Sequence, residues 1–214
     1  MLIKQKYILA GLLIISNAFA EYAPPPPVII EAEPIYAKAT PDAIKFITRY
    51  WNSLTIIVAD IIQTNPDGAQ IKGKLYVKKG EGNKAKLRVD YQTDYKQQLL
   101  IKKSEVLLVD LTDGAVSAYP VSMTPAGLIL KPQLDFDKDV KFVDSRQVDD
   151  DVQIILAHKD DENGGTLTLN FTLADGGHLL RWKVLDPQGN ITEVELNPET
   201  IRLNDEKLVP DSLF

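Results

Sequence analysis

Few side chains in this sequence could do acid–base or nucleophilic chemistry. The chain has 214 residues, with two histidines, His158 and His178, and no cysteine. Two histidines on different strands could form a pair, and loss of activity on substituting them would support a secreted hydrolase. Each, however, lies in an alternating strand pattern, where a histidine is usually solvated or packed, and no serine lies in a Gly-x-Ser-x-Gly motif. We therefore predict that the protein is not an enzyme.

Two segments resemble ligand-binding loops only in part. Residues 80–85 (GEGNKA) fit Gly-x-Gly-x-x-Ala, but a strand pattern follows where a nucleotide-binding loop needs a helix, so we expect a hairpin turn. Residues 135–139 (DFDKD) resemble the start of a calcium loop. Val140 and Arg146, however, occupy the positions that require glycine and glutamate. The sequence predicts no metal and no cofactor.

The first 20 residues have the features of a secretory signal peptide. Lys4 and Lys6 precede an apolar stretch at 7–15 that is too short to span a bilayer, and Ala-Phe-Ala at 18–20 suits cleavage. A membrane anchor is the alternative, but the prolines at 24–27 prevent a helix from extending the stretch. Because no cysteine follows the cleavage position, this chain cannot receive the lipid of a bacterial lipoprotein. We expect a soluble, non-lipidated protein exported across the inner membrane.

A linker and one helix precede the strand patterns. Residues 21–40 are proline-rich and lack periodicity, which is typical of a flexible linker. Thr40, Pro41 and Asp42 then suit a helix N-terminus, and apolar residues fall on one face of the helix that follows. These apolar residues are Ile44, Ile47, Trp51 and Leu54. We expect one folded domain over residues 41–214.

Alternating apolar and polar residues predict about eleven strands at hairpin spacing. Between the sixth and seventh, Thr124, Pro125 and the apolar residues 126–130 predict a short helix, which either packs on the core or covers the open side of a curved sheet. The fold class is mainly β with a few helices, an antiparallel sheet curled into a barrel or part of one. The predicted strands are 55–64, 69–78, 84–91, 97–102, 105–110, 115–120, 140–147, 152–158, 166–173, 178–185 and 191–197.

Charge is distributed unevenly along the chain. Residues 72–103 contain ten Lys and Arg against three acidic residues, and residues 104–214 contain nine against twenty-one. Either the protein has two electrostatic faces, or the charges simply occupy the solvated sides of sheets. The formal net charge is −6, and few aromatic residues interrupt the basic stretch, so we predict no binding to nucleic acid.

Several motifs, in order along the chain, resemble those of the periplasmic carriers of outer-membrane lipoproteins, the LolA-like family. Residues 61–63 (IIQ) stand where the family has Phe-x-Gln, and residues 73–80 (GKLYVKKG) resemble its Gly-x-Leu-x-Val-Lys-Arg-Pro. Residues 87–91 (LRVDY) resemble Phe-Arg-Trp-x-Tyr, with Val89 in place of the tryptophan. Two further matches complete the resemblance, which covers about residues 41–214: residues 124–130 (TPAGLIL) with Thr-Pro-x-x-Leu-Leu, and residues 179–196 with the late strands.

This resemblance implies an incomplete, half-open antiparallel barrel of about eleven strands, with a helical lid over a hydrophobic cavity. A carrier of this kind takes the acyl chains of lipoproteins released by an inner-membrane ABC transporter and delivers them to an outer-membrane acceptor, which can be a lipoprotein of the same fold. The resemblance also implies a monomer in the periplasm. A sensor or regulator of envelope stress, or another lipid-binding protein of the same fold, is the alternative.

Bulky apolar residues of the strands and the short helix are the candidate lining of this cavity. A site that binds and releases acyl chains needs apolar contacts rather than directional hydrogen bonds, because each methylene left in water costs about 0.8 kcal/mol. The sequence does not decide which strand parity faces inward, and core packing is the alternative for each residue. The candidates are Leu87, Val89, Leu107, Val109, Leu128, Leu130, Leu169, Phe171, Leu173 and Trp182.

Three cations are candidates for gating or partner docking. Family carriers often have an arginine that hydrogen-bonds the lid where this chain has Lys79, and a lysine there lacks the planar fork of arginine. Lys78, Lys79 and Arg88 belong to the basic stretch. We expect this stretch to face an acidic partner or anionic lipid near the cavity mouth and to steer docking.

Overall fold

The computed structural model describes residues 37–81, 84–93, 96–102, 105–120, 126–135, 138–159 and 165–214. The predicted signal peptide, most of the predicted linker, and Thr124 and Pro125 before the short helix lie outside these residues. Two helices, α1 (Pro41–Ser53) and α2 (Ala126–Leu130), accompany a large sheet and several 3-10 turns. The strands of the sheet are β1 (Ile56–Thr64), β2 (Gln70–Lys78), β3 (Lys86–Tyr91), β4 (Gln97–Lys102), β5 (Glu105–Asp110), β6 (Val116–Pro120), β7 (Val140–Val148), β8 (Asp151–His158), β9 (Thr166–Thr172), β10 (His178–Leu185), β11 (Ile191–Leu196) and β12 (Arg202–Leu203).

Helix α1 begins and ends where its local sequence requires. The Thr40 hydroxyl accepts a hydrogen bond from the Ala43 N–H at 3.2 Å, and Pro41 occupies the first turn, where its missing N–H has no consequence. Ala43, Ile47 and Trp51 recur at intervals of four, so they form one buried stripe.

The strands form one open antiparallel sheet. Their order is β6-β5-β4-β3-β2-β1-β11-β10-β9-β8-β7, so β6 and β7 are its two edges. The predicted fold class, a mainly β and half-open sheet of about eleven strands, is confirmed. Each predicted strand has a counterpart whose ends agree within two residues, and within the described residues the short strand β12 is the one strand without a sequence prediction.

Strand β1 joins the two halves of the sheet. One of its edges pairs with β2 along the whole strand, whereas the other edge is shared between β11 and β12. Ile61 lies opposite Leu196 of β11, and Ile57 lies opposite Leu203 of β12. The first strand of the domain, β1, therefore pairs directly with its last two strands, β11 and β12.

The core lies between the inner face of the sheet and the two helices. Alternate residues of the central strands point into it, as the fully buried residues Leu75 and Leu87 illustrate on β2 and β3. The buried residues of α1 and α2 belong to the same cluster. On the outer face, Val209 is fully buried against Ile56 and Val58, so β1 begins with a run of residues buried on both faces.

Candidate functional site

The inner face of the sheet is a continuous apolar surface that α1 covers. Phe171 of β9 meets Trp51 edge-to-face, with ring centroids 6.4 Å apart, and meets Tyr50 in the same way at 5.9 Å. The Phe46 ring lies directly against the backbone of Gly177, where an added Cβ would come within 2.4 Å of it. Aromatic contacts therefore hold one side of α1 to the sheet.

The C-terminal end of α1 is held by a small number of polar contacts. The Lys79 ammonium donates to the Trp51 carbonyl at 2.7 Å and lies 4.7 Å from the centre of the Trp51 ring. Asn52 makes reciprocal hydrogen bonds with the backbone of Leu134, at 2.8 and 3.2 Å. Burial lowers the pKa of Lys79 to about 8. A buried cation whose charge is costly is thus one of the groups that fix α1.

A buried polar cluster lies on the inner face at the far end of β1. The Tyr91 hydroxyl donates to Gln63 Oε1 at 2.8 Å, and Gln63 Nε2 donates to Asn65 Oδ1 at 2.8 Å. Burial raises the pKa of Tyr91, so its phenol stays protonated at neutral pH. These hydrogen bonds pair the buried Tyr91 hydroxyl and both ends of the Gln63 amide.

Two indole groups inside the core carry unsatisfied donors. Within the described part of the chain, Trp51 Nε1 and Trp182 Nε1 are buried and have no hydrogen-bond partner. Leaving a buried N–H unpaired costs about 1–3 kcal/mol. The interior could therefore accept a ligand atom with a lone pair at these two positions.

Eight of the ten predicted lining residues lie in or against this interior. Seven are buried in the core cluster, and Leu173 packs against it with partial exposure. The bulge in β10 between Leu179 and Arg181 shifts the alternation, which is why both Leu179 and Trp182 point inward. The seven are Leu87, Val89, Leu128, Leu130, Leu169, Phe171 and Trp182.

Leu107 and Val109 lie on the outer face of β5 and are partly exposed. Their neighbours Val106 and Leu108 point into the core instead. All four residues are apolar, so the sequence of β5 contains no alternation that would identify the inner face.

The structure also adds residues that sequence reasoning did not include in the lining. Trp51 and Ile47 of α1 are fully buried in the interior, and so are the inward residues of β2, β4 and β8. The 3.6-residue periodicity of α1 was the available signal for the first two. The strand residues are Leu75, Val77, Leu99, Ile101, Val152, Ile154 and Leu156.

The three predicted docking cations do not form one exposed surface. Lys79 is buried beneath α1. Lys78 Nζ lies 3.5 Å from Asp211 Oδ1, and the Arg88 guanidinium donates to the Leu213 carbonyl at 2.6 Å. The last residues of the chain therefore occupy the surface on which we expected a partner.

An open groove runs along α1 on the side away from Phe171. Its volume is about 870 Å³, and α1 lines it together with residues 133–135 and 138–139. Ile44 and Leu134 connect the groove to the core, and Arg49, Lys138 and other charged residues form its rim. A long molecule could enter the interior here if α1 moved away from the sheet.

Two further observations concern the described residues alone. They include no helix that is long and apolar enough to cross a membrane. They also bring together no group of three or more histidine, cysteine, aspartate or glutamate side chains that could hold a metal ion.

Comparisons with known proteins point to one family. The family model described as "Outer membrane lipoprotein carrier protein LolA" matches residues 52–211. No curated protein matches the chain. Solved structures similar to it include an uncharacterized conserved protein from Thermus thermophilus, at 14% identity over 77% of this chain and 88% of that one, with a TM-score of 0.42. A LolA superfamily protein from Nitrosomonas europaea matches at 15% identity over 79% of this chain and 96% of that one, with a TM-score of 0.40.

MucB is a further similar structure. It matches at 11% identity over 80% of this chain and 63% of that one, with a TM-score of 0.44. The MucA/MucB complex of Pseudomonas aeruginosa contains a chain that matches at 10% identity over 79% of this chain and 60% of that one, with a TM-score of 0.38.

Proposed function

Because the chain belongs to the LolA family of outer-membrane lipoprotein carriers, we propose that it is a periplasmic carrier of lipoproteins. It binds the acyl chains of lipoproteins that an inner-membrane ABC transporter releases, and it delivers them to an acceptor at the outer membrane. The predicted signal peptide at residues 1–20 directs export, and the absence of cysteine from the sequence keeps this carrier free of a lipid of its own. It acts as a monomer and needs no cofactor.

One observation carries the proposal: a continuous apolar face is covered by a helix held by a few separable contacts. The Trp51 ring meets Phe171 edge-to-face, and Lys79 holds the C-terminal end of α1 through the Trp51 carbonyl. In this proposal, acyl chains enter where α1 moves away from the sheet, and lipid takes the place of the apolar stripe of α1. Each buried methylene then contributes about 0.8 kcal/mol, which offsets the contacts that α1 loses.

The lining that we propose for the acyl chains is the inward set, Leu87, Val89, Leu128, Leu130, Leu169, Phe171 and Trp182, with Leu173 at its margin. Two of the buried donors, the indole N–H groups of Trp51 and Trp182, suit the ester carbonyl oxygens of an acylated cysteine. Leu107 and Val109 are left out, because they lie on the outer face.

A release assay tests this function. Spheroplasts that display a labelled, outer-membrane-destined lipoprotein are incubated with the purified protein, and the soluble fraction is examined for a one-to-one complex. We expect release by the wild type and a loss of at least tenfold in the Leu87→Glu variant, because about 3 kcal/mol or more is needed to bury a carboxylate there. Leu107→Glu, a matched change on the outer face, should release normally.

A crosslinking experiment distinguishes a lost binding site from a Leu87→Glu variant that simply fails to fold. A photoreactive amino acid at Ile47 faces the interior, whereas one at Leu107 does not. Crosslinking of the labelled lipoprotein at Ile47 and not at Leu107 supports the proposal. Absence of release and of crosslinking, with a folded protein and a transporter from the same organism, contradicts it and favours the sensor or another apolar ligand.

A further inference from the structure

One side chain from the C-terminal part of the chain holds the joint between α1 and β1. Asn204 Oδ1 accepts hydrogen bonds from the Thr55 N–H at 2.7 Å and from the Thr55 hydroxyl at 3.0 Å. Its Nδ2 group donates to the Ser53 carbonyl at 3.2 Å, and its own N–H donates to the Ile56 carbonyl at 3.0 Å. Asn204 has a φ of 56°, a conformation that asparagine tolerates better than most residues. Any swing of α1 away from the sheet must turn about this joint.

The residues that follow form a strap over the outer face of β1, β2 and β3. We call residues 204–214 the C-terminal strap, and Lys78, Lys86 and Arg88 beneath it the basic strip. Asp211 accepts from Lys86 at 2.9 Å, and the hydrogen bond lowers the pKa of its carboxyl. The Lys86 side chain is only 15% exposed, whereas Asp211 is 77% exposed. The strap thus consists of a buried apolar anchor at Val209 and an exposed ionic contact at Asp211.

We propose that the C-terminal strap holds α1 closed through Asn204, and that an acidic peptide with apolar side chains displaces the strap and frees α1. The inference rests on the proposed function in one respect, because it treats α1 as the moving cover of the cargo site. It goes beyond that function, because it assigns control of α1, which covers the inner face of the sheet, to the strap on the outer face.

The chemistry of the partner follows from what the strap itself places on this surface. The basic strip binds one carboxylate and one backbone carbonyl, and Tyr76, Ile56 and Val58 accept valine, leucine and phenylalanine side chains. Lys86 also lies 5.4 Å from the centre of the Phe214 ring. An acidic peptide with aliphatic or aromatic residues reproduces every one of these contacts. The hydrogen bonds of Asn204 to Thr55 and Ser53 are exposed to solvent, so water can take the place of Asn204 once the strap has left.

Hydrogen exchange of the purified wild-type protein and its variants, without cargo, tests the coupling. Asn204→Gly keeps the backbone conformation but removes the side chain, so we expect amide exchange across α1 to rise about tenfold while β9 and β10 stay unchanged. Asp211→Asn leaves Asn204 in place and loosens the strap, and it should raise α1 exchange in the same direction. Thr200→Val is the matched control. Its hydroxyl accepts from the Asp60 N–H in the middle of β1, away from the joint, and α1 exchange should not change.

A synthetic peptide of residues 205–214, which carries the contacts to the basic strip but lacks Asn204, tests the partner chemistry directly. Added to the wild-type protein, it should accelerate exchange in α1 and in the strap, saturably and less at high salt, whereas the same peptide with Asp211→Asn should act far more weakly. If the peptide speeds amide exchange in the strap but not in α1, the proposal is overturned. A uniform rise in amide exchange over all strands in Asn204→Gly also overturns it, since that result indicates only lost global stability. Neither outcome affects the release assay, so the two ideas fail separately.

Discussion

Lys79 should make the stability of this protein depend on pH in an unusual range. Burial lowers its pKa from the ordinary 10.5 to about 8, so between these values the unfolded chain binds a proton that the folded chain does not. Stability should therefore rise as the pH increases through this window. At about 1.4 kcal/mol per pH unit, the full rise is at most about 3 kcal/mol. The hydrogen bond to the Trp51 carbonyl favours the ammonium, so it reduces the rise.

The Lys79→Met variant isolates this contribution. Methionine retains much of the apolar volume but cannot titrate, so the difference in unfolding free energy between wild type and variant should change by up to about 3 kcal/mol from about pH 7 to pH 10.5 in favour of the wild type. Urea denaturation followed by tryptophan fluorescence measures this difference. Other groups that titrate in this range cancel between the two proteins. A difference that stays constant over the range would refute the reasoning.

Two more substitutions test contacts that position α1 and the inner face. Gly177→Ala should destabilise the protein by about 1–3 kcal/mol, because its φ of 77° disfavours other residues and the new Cβ meets the Phe46 ring. In thermal unfolding, adding Phe46→Ala to this variant should recover part of the lost stability. If nothing is recovered, the contact between Phe46 and Gly177 is contradicted. Tyr91→Phe should cost about 1–2 kcal/mol in urea denaturation, because Gln63 Oε1 loses a buried donor, and an unchanged midpoint would argue against the buried cluster.

The sequence predicted the elements well, because their local signals agree with the final packing. Thr40, Pro41 and the apolar stripe specify the start and the inner face of α1. The strands are bounded by turns with asparagine, aspartate and glycine, and their order follows from antiparallel neighbours. Even the short helix α2 was identifiable from an apolar run before Pro132.

The parity of single strands was harder to predict. In β5 both faces carry valine and leucine, so Leu107 and Val109 are indistinguishable by pattern from Val106 and Leu108. A bulge in β10 adds one residue between Leu179 and Trp182, and no feature of the sequence indicates where it occurs.

The contacts of the basic stretch could not be predicted for a different reason. Its lysines and arginine alternate as an exposed strand face would, but their partners come from the far end of the chain. Asp211 and Leu213 meet Lys86 and Arg88 across 125 residues. Such contacts follow only from the topology that brings β1 and β11 together, which local patterns do not contain.

The central position of β1 has a consequence for how the chain folds. The segments β2–β6 and β7–β11 are meanders of sequential hairpins, so each can form from neighbouring residues soon after it becomes available. The pairing that joins the two meanders cannot form early, because Ile61 and Ile57 of β1 pair with Leu196 and Leu203, which are synthesised much later. A chain that has emerged only in part therefore has two half-sheets with apolar faces and an unpaired central edge. Folding of the domain is complete only after its last strand arrives, and a truncation there should lead to aggregation rather than to a smaller stable domain.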